Sequence, residues 1–308
     1  MSFSQKKYKL AKTEEIVIKT NEDWRTNYQK CLKIEKHPYY FTVFDVETKA
    51  LTELCKGFNF SEDDRQLFLT QARLTGRILI KLSPDEYRCG SGYLQKIRPA
   101  KDFNCPIPSC KEKKKHHAWW ILTVTTVFHV VPSQQDVEKV EFEFFYDEDL
   151  NQDKVKKAYG FRLIDTEKES GQADWCSIEC ATDDEVLVNN LKQLITTLAD
   201  LQKKSYKVYK DKSPKPVVIA SHPHSGPKRL SFGRVVREES VKEVRESQNW
   251  CKYFYDTPTC PGSSGSYVLI LGQPLNGSGY WLGHPHNHSG ESDTRLINCS
   301  SVGVDHVG

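Results

Sequence analysis

Long apolar runs are missing from this chain. Nowhere do its 308 residues sustain the stretch of about 20 apolar residues that a membrane-spanning helix needs. The opening, Met1-Ser2-Phe3-Ser4-Gln5-Lys6-Lys7, is polar and lacks the apolar core and small-residue cleavage site of a signal peptide. A charge excess is lacking too: 44 Lys and Arg against 41 Asp and Glu leave a formal +3, too little for the basic face of a nucleic-acid binder. The densest positive run, Lys111-Glu112-Lys113-Lys114-Lys115-His116-His117, reads as a solvated loop. No internal repeat is obvious. These absences lead to the expectation of a soluble, cytoplasmic protein with neither nucleic acid nor membrane among its partners.

Cysteine, by contrast, is present ten times. In a reducing compartment most of these should be free thiols rather than a disulfide framework. For the same reason the triplets at Asn276, Asn287 and Asn298 read as chance matches to the glycosylation pattern. Cys105 and Cys110, with His116 and His117 following and Cys89 nearby, could supply zinc ligands, but a four-residue gap lies at the wide edge of zinc-site spacings. Two His-Pro-His runs, at 222–224 and 284–286, also invite a metal reading, and ordinary turn chemistry accounts for them better. The expectation is therefore no metal and no cofactor.

Residues 1–82 read as an accessory segment. Within it, 38–46 favours a strand through aromatic and β-branched content. Ser61 followed by Glu62-Asp63-Asp64 opens a helix whose Leu67, Phe68, Ala72 and Leu74 give it an apolar face. From Tyr87 short strands alternate with turns. Gly90-Ser91-Gly92 reads as a turn into a strand, Trp119–Thr125 as a strongly apolar strand, 140–146 as a half-buried one and 174–180 as another. Thr182-Asp183-Asp184-Glu185 reads as a capping box opening the best helix of the chain, stopped near Lys210–Pro216. Strands resume at Val217. The divisions expected are 1–82, a first β-rich unit over 83–182, a helix and linker over 183–215, and a second β-rich unit over 216–308. Two such blocks flanking a helix suggest a duplicated barrel.

Gly262-Ser263-Ser264-Gly265-Ser266 is the stretch with most chemical promise. A nucleophilic serine needs an exposed hydroxyl on a tight turn, with backbone N–H groups near the developing oxyanion. Flanking glycines permit that backbone. The rival Gly-x-Ser-x-Gly elbow would need glycine at 266 and a helix afterwards; here Ser266 leads into Tyr267-Val268-Leu269-Ile270-Leu271, a strand pattern.

Thr259-Cys260-Pro261-Gly262-Ser263-Ser264-Gly265-Ser266 resembles the nucleophile loop of chymotrypsin-like serine proteases. Thr126-Val127-Phe128-His129 is similar to that family's histidine segment, although Val127 and Phe128 are bulkier than its usual small residues. Asp174-Trp175-Cys176-Ser177-Ile178 resembles its aspartate followed by a strand, and Gly90-Ser91-Gly92 its Gly-Ser-Gly. The order His129, Asp174, Ser264 is the family's own; subtilisins and α/β-hydrolases run differently. The resemblance covers roughly 87–308. It implies a mainly β fold of two six-stranded antiparallel barrels, with an N-terminal α/β extension and an inter-barrel helix. It also implies a serine endopeptidase acting on protein or peptide substrates through an acyl-enzyme, with an oxyanion hole formed by the N–H groups of Gly262 and Ser264. Ser263 replaces the aspartate of secreted trypsins, which implies no zymogen activation through that ion pair. Thr259, and His288-Ser289-Gly290, resemble the residues that recognise an acidic side chain before the cut in glutamyl endopeptidases. The alternative reading is a catalytically silent barrel pair that binds extended peptides by strand addition.

Overall fold

The computed structural model describes residues 16–19, 23–100, 105–108, 110, 118–167, 174–245, 248–273, 284–289, 297–301 and 303–305. Twelve strands form two closed barrels. The first contains β1 (Thr75–Ser83), β2 (Glu86–Pro99), β3 (Trp120–Thr126), β4 (Val140–Phe144), β5 (Lys156–Glu167) and β6 (Trp175–Thr182). Neighbours run β1-β2-β3-β6-β5-β4, and β4 pairs with β1 to close the ring. The second contains β7 (Pro216–Ser221), β8 (Arg229–Arg245), β9 (Gln248–Tyr255), β10 (Tyr267–Ile270), β11 (His284–Ser289) and β12 (Asn298–Ser300). Its ring runs β7-β8-β9-β12-β11-β10 and back to β7. Every pairing is antiparallel, and the two rings have the same connectivity. This is the chymotrypsin-like double barrel, and the duplication suspected from the sequence is one of topology.

Closure removes the sheet edges that would otherwise template aggregation. Side-chain alternation then sorts each strand between two environments. In β7, Val217 and Ile219 join β10 residues Val268 and Ile270 and the β9 residues Cys251, Tyr253 and Tyr255 in a core inside the second barrel. The intervening Val218, Ala220, Tyr267 and Leu269 face the other way, into a core shared with the helices and the first barrel. Two helices fill that shared layer. Glu62–Leu74 buries Leu67, Phe68, Ala72 and Leu74, the face expected from the sequence, and opens with a Ser61/Asp64 capping box. Glu185–Tyr209 lies against it, and the Tyr209 hydroxyl donates to Asp64 at 2.8 Å.

Three local expectations are corrected. Residues 38–46 do not form one strand: a 3-10 turn (Ile34–Tyr39) and a two-residue strand (Phe41–Thr42) precede a helix over Val43–Thr48. A reciprocal Thr42/Asp45 capping box nucleates that helix against the β-branched preference. The inter-barrel helix is capped by Asp184, which accepts from Leu187 N–H, because Thr182 is still the last residue of β6. Gly90-Ser91-Gly92 lies inside β2 rather than at a turn. A Cβ on Gly90 would come 2.7 Å from Val130, and one on Gly92 3.0 Å from Ile78 and Val124. These glycines therefore permit close packing, not chain reversal. Among the described residues no helix is long and apolar enough to cross a membrane.

Candidate active site

The first barrel contributes His129 and Asp174. His129 sits in a single turn just beyond β3, where Val130 and Val131 N–H both donate to the Val127 carbonyl. Val127, Val130 and Val131 are buried in the core, so the bulk at Val127 anchors this turn instead of disturbing it. Asp174 immediately precedes β6, and β3 and β6 are neighbours. One carboxylate therefore meets one histidine twice. The His129 backbone N–H donates to Oδ1 at 2.9 Å, and ring Nδ1 lies 2.5 Å from Oδ2. With the proton on Nδ1, the second ring nitrogen carries a lone pair. Asp184, beyond the far end of β6, is occupied in capping its helix.

The second barrel contributes Ser264, on the connection from β9 to β10. Gly262 and Gly265 flank it with φ of +94° and +89°, a conformation that side-chain-bearing residues rarely adopt. Neither glycine has room for a Cβ. At 262 it would press on the His222 carbonyl at 2.5 Å, and at 265 on the Ser91 carbonyl at 2.1 Å and Thr126 Oγ1 at 2.2 Å. Thr126 is three residues before His129, so these contacts lay the Ser264 turn directly against the end of β3. The Ser264 hydroxyl donates to the Asn287 carbonyl at 3.3 Å, a long bond. Ser263 N–H donates to Cys260 and Gly265 N–H to His286. Among the described residues no such acceptor takes the Gly262 or Ser264 N–H.

Ser91 joins the two halves. Its N–H donates to the Ser264 carbonyl at 2.8 Å and its hydroxyl to the Gly262 carbonyl at 2.8 Å. It accepts from His222 N–H at 3.0 Å through Oγ and from Thr126 Oγ1 at 2.8 Å through its carbonyl. The middle residue of the Gly-Ser-Gly motif thus holds the Ser264 turn, the 222–226 turn and the end of β3 in register. Ser263 is wholly buried and lies 3.0 Å from Ser221 Oγ, a neutral pair where secreted trypsins would carry a charge.

No protein-family model and no curated protein matches the chain. Similar solved structures include the Rv3671c protease from M. tuberculosis in its active form, 11% identical, with 76% of this chain and 78% of that one aligned at a TM-score of 0.43. The serine endoprotease from Yersinia pestis is 12% identical, covering 79% of this chain and 63% of its own at a TM-score of 0.42. Likenesses this distant carry no argument. The fold rests on its strand pairings.

The expected specificity residues are only partly assembled. Thr259 is fully buried, and its Oγ1 has no hydrogen-bond partner among the described atoms. His288 and Ser289 lie in β11, paired with Cys299 and Asn298 of β12; Gly290 is outside the described residues. The histidine that pairs with the Ser264 turn is His286. Its carbonyl accepts from Gly265 N–H at 2.8 Å and its N–H donates to the Ser266 carbonyl at 2.7 Å. It is buried, with Nδ1 2.6 Å from the Tyr255 hydroxyl. Desolvation pushes that phenol far above its ordinary range, so Tyr255 keeps its proton.

Of the cysteines first considered for zinc, Cys105 and Cys110 pack near Trp119 and Ile121, and His116 and His117 lie outside the described residues. Burial pushes the Cys105 thiol up to about 11. A different set, Cys31, His37, His224 and Cys260, does converge. Sequence reading missed it because two of its members sit in the N-terminal segment and two in the second barrel.

Proposed function

We propose that the protein is a serine endopeptidase in which Ser264 attacks a peptide carbonyl while His129 takes its proton, with Asp174 orienting the ring and stabilising the imidazolium. His129 then protonates the leaving amine, and water, deprotonated by the same ring, releases the acyl group. The Gly262 and Ser264 N–H groups hold the oxyanion. The observation that carries this reading is the double contact of one carboxylate with the backbone and ring of His129. A structural histidine needs no such clamp, whereas a base must be held in one tautomer and one orientation.

Within this reading an acidic side chain before the cut is recognised by Thr259 and His286, a register two residues earlier than the His288 expected from the sequence. A proton donated by Tyr255 to His286 Nδ1 sets the tautomer in which Nε2 carries the ring proton, the form that can donate to a carboxylate. Peptides differing only in the residue before the scissile bond test the proposal. Hydrolysis should favour Glu over Gln by about tenfold or more in kcat/KM, should shrink towards parity in Thr259→Val, and should vanish in Ser264→Ala. Turnover that survives Ser264→Ala rules out the mechanism. Equal turnover of Glu, Gln and Lys peptides removes the acidic preference and leaves the mechanism standing.

A further inference from the structure

Four side chains outside the triad point their donor atoms at one place. Cys31 Sγ and Cys260 Sγ are 3.7 Å apart, Cys260 Sγ and His37 Nε2 are 3.6 Å apart, and a ring nitrogen of His224 completes a set lying within 4.8 Å of one another. Zn–S bonds of about 2.3 Å and Zn–N bonds of about 2.0–2.1 Å at tetrahedral angles put two sulfurs about 3.8 Å apart and a sulfur and nitrogen about 3.6 Å apart. Both separations match. A disulfide would need the sulfurs at about 2.05 Å.

We propose that Cys31, His37, His224 and Cys260 bind one zinc ion in a closed tetrahedral site that fastens the N-terminal segment to the nucleophile loop.

The surroundings are those of a ligand set. His37, His224 and Cys260 are 5%, 2% and 2% exposed. Yet His224 Nε2 has no hydrogen-bond partner among the described atoms, a cost that a buried imidazole rarely carries without compensation. The Lys33 N–H lies 3.3 Å from Cys31 Sγ, in position to donate to a thiolate and steady it behind the metal. The Tyr28 ring lies tilted against His37, centroids 3.8 Å apart, and edge-on to His224 at 5.7 Å. Binding would release one proton from each thiol, and two thiolates with two neutral imidazoles would make an uncharged complex suited to burial. A closed set of N and S donors in this geometry selects zinc over magnesium or calcium.

The location gives the site a mechanical role. His224 N–H donates to the Pro261 carbonyl at 2.6 Å, and Cys260 lies four residues before Ser264. Trp24 covers Gly226 so closely that a Cβ there would be 2.7 Å from the indole. The accessory segment is thereby seated on the same turn that abuts Gly262. The ion would join three chain segments, those carrying Cys31 and His37, His224, and Cys260.

Metal analysis of the full chain, prepared with zinc and without chelator, tests this independently of any hydrolysis. About one zinc per chain is expected to survive dialysis, to be lost in Cys260→Ser and His37→Ala, and to persist in Cys105→Ser. Should those variants fold poorly, cobalt(II) replacement in the unmodified chain should give the intense visible bands of a tetrahedral site with sulfur-to-cobalt charge transfer. A chain without zinc, zinc retained by Cys31→Ser/Cys260→Ser, octahedral cobalt bands, or a Cys31–Cys260 disulfide found by mass spectrometry would each overturn the proposal. None of these results bears on whether Ser264 is a nucleophile.

Discussion

The two barrels share one connectivity and differ in how each presents its part of the site. In the first, His129 and Asp174 lie one turn beyond β3 and one residue ahead of β6, adjacent strands of the same ring. Their geometry follows from ordinary sheet pairing. In the second, Ser264 rides on the long connection between β9 and β10, which pairing alone cannot shape. Its form is fixed by bonds to distant parts of the chain: to Ser91 of the first barrel, to the 222–226 turn and His286 of its own barrel, and to the N-terminal segment that meets Cys260. One barrel builds its half of the site, and the other has its half held in place.

That contrast predicts different consequences for substitutions in the two halves. Asp174→Asn should have the largest effect on turnover, lowering kcat by about 10⁴-fold because the ring would rest in the wrong tautomer. Thermal unfolding should change little, since Asp174 is a partly exposed residue. Steady-state kinetics beside a melting curve checks both halves of the statement.

Gly265→Ala should reverse that pattern. A Cβ at φ +89°, 2.1 Å from the Ser91 carbonyl, has backbone rather than a flexible side-chain tip in its way. The expected loss is about 2–4 kcal/mol, read from urea denaturation, with activity falling alongside. Ser91→Ala should cost about 1–3 kcal/mol by stranding the Gly262 carbonyl and the His222 N–H. Fluorophosphonate labelling should slow by about tenfold or more as the nucleophile turn loses its brace. A Ser91→Ala protein with full labelling would break the contrast between the barrels.

The smallest effect concerns pH. His222 is fully buried in the turn that faces Gly262, and desolvation together with Lys228 and Arg77 pushes its ring well below the ordinary value of 6.5. The unfolded chain therefore binds a proton that the folded chain refuses. This contribution to stability is complete above about pH 6.5 and is lost, at up to about 1.4 kcal/mol per pH unit, as the pH falls towards the depressed folded value. His222→Gln should flatten that part of the stability profile, measured by denaturant titration at successive pH values.

Much of this was legible in the sequence because it is local. The strand pattern, the Ser61 cap, the helix closing the gap between barrels and the glycine-flanked Ser264 each reveal themselves within a dozen residues. Local reading went astray where a distant partner decides. Aromatic and β-branched residues at 38–46 looked like a strand until a Thr42/Asp45 cap claimed them. Gly90 and Gly92 looked like turn residues because nothing in their own stretch announces Val130, Ile78 and Val124 packed upon them. Cys31 and Cys260 meet across a separation of 229 residues, and no spacing rule reaches that far.

The central claim is that Ser264 is a nucleophile activated by a histidine that the first barrel holds in place. Mapping a fluorophosphonate adduct by mass spectrometry on the folded protein tests it most directly. The account predicts one phosphonyl group on Ser264, abolished in His129→Ala. A folded protein that takes up no probe, or carries it on another residue, would contradict it.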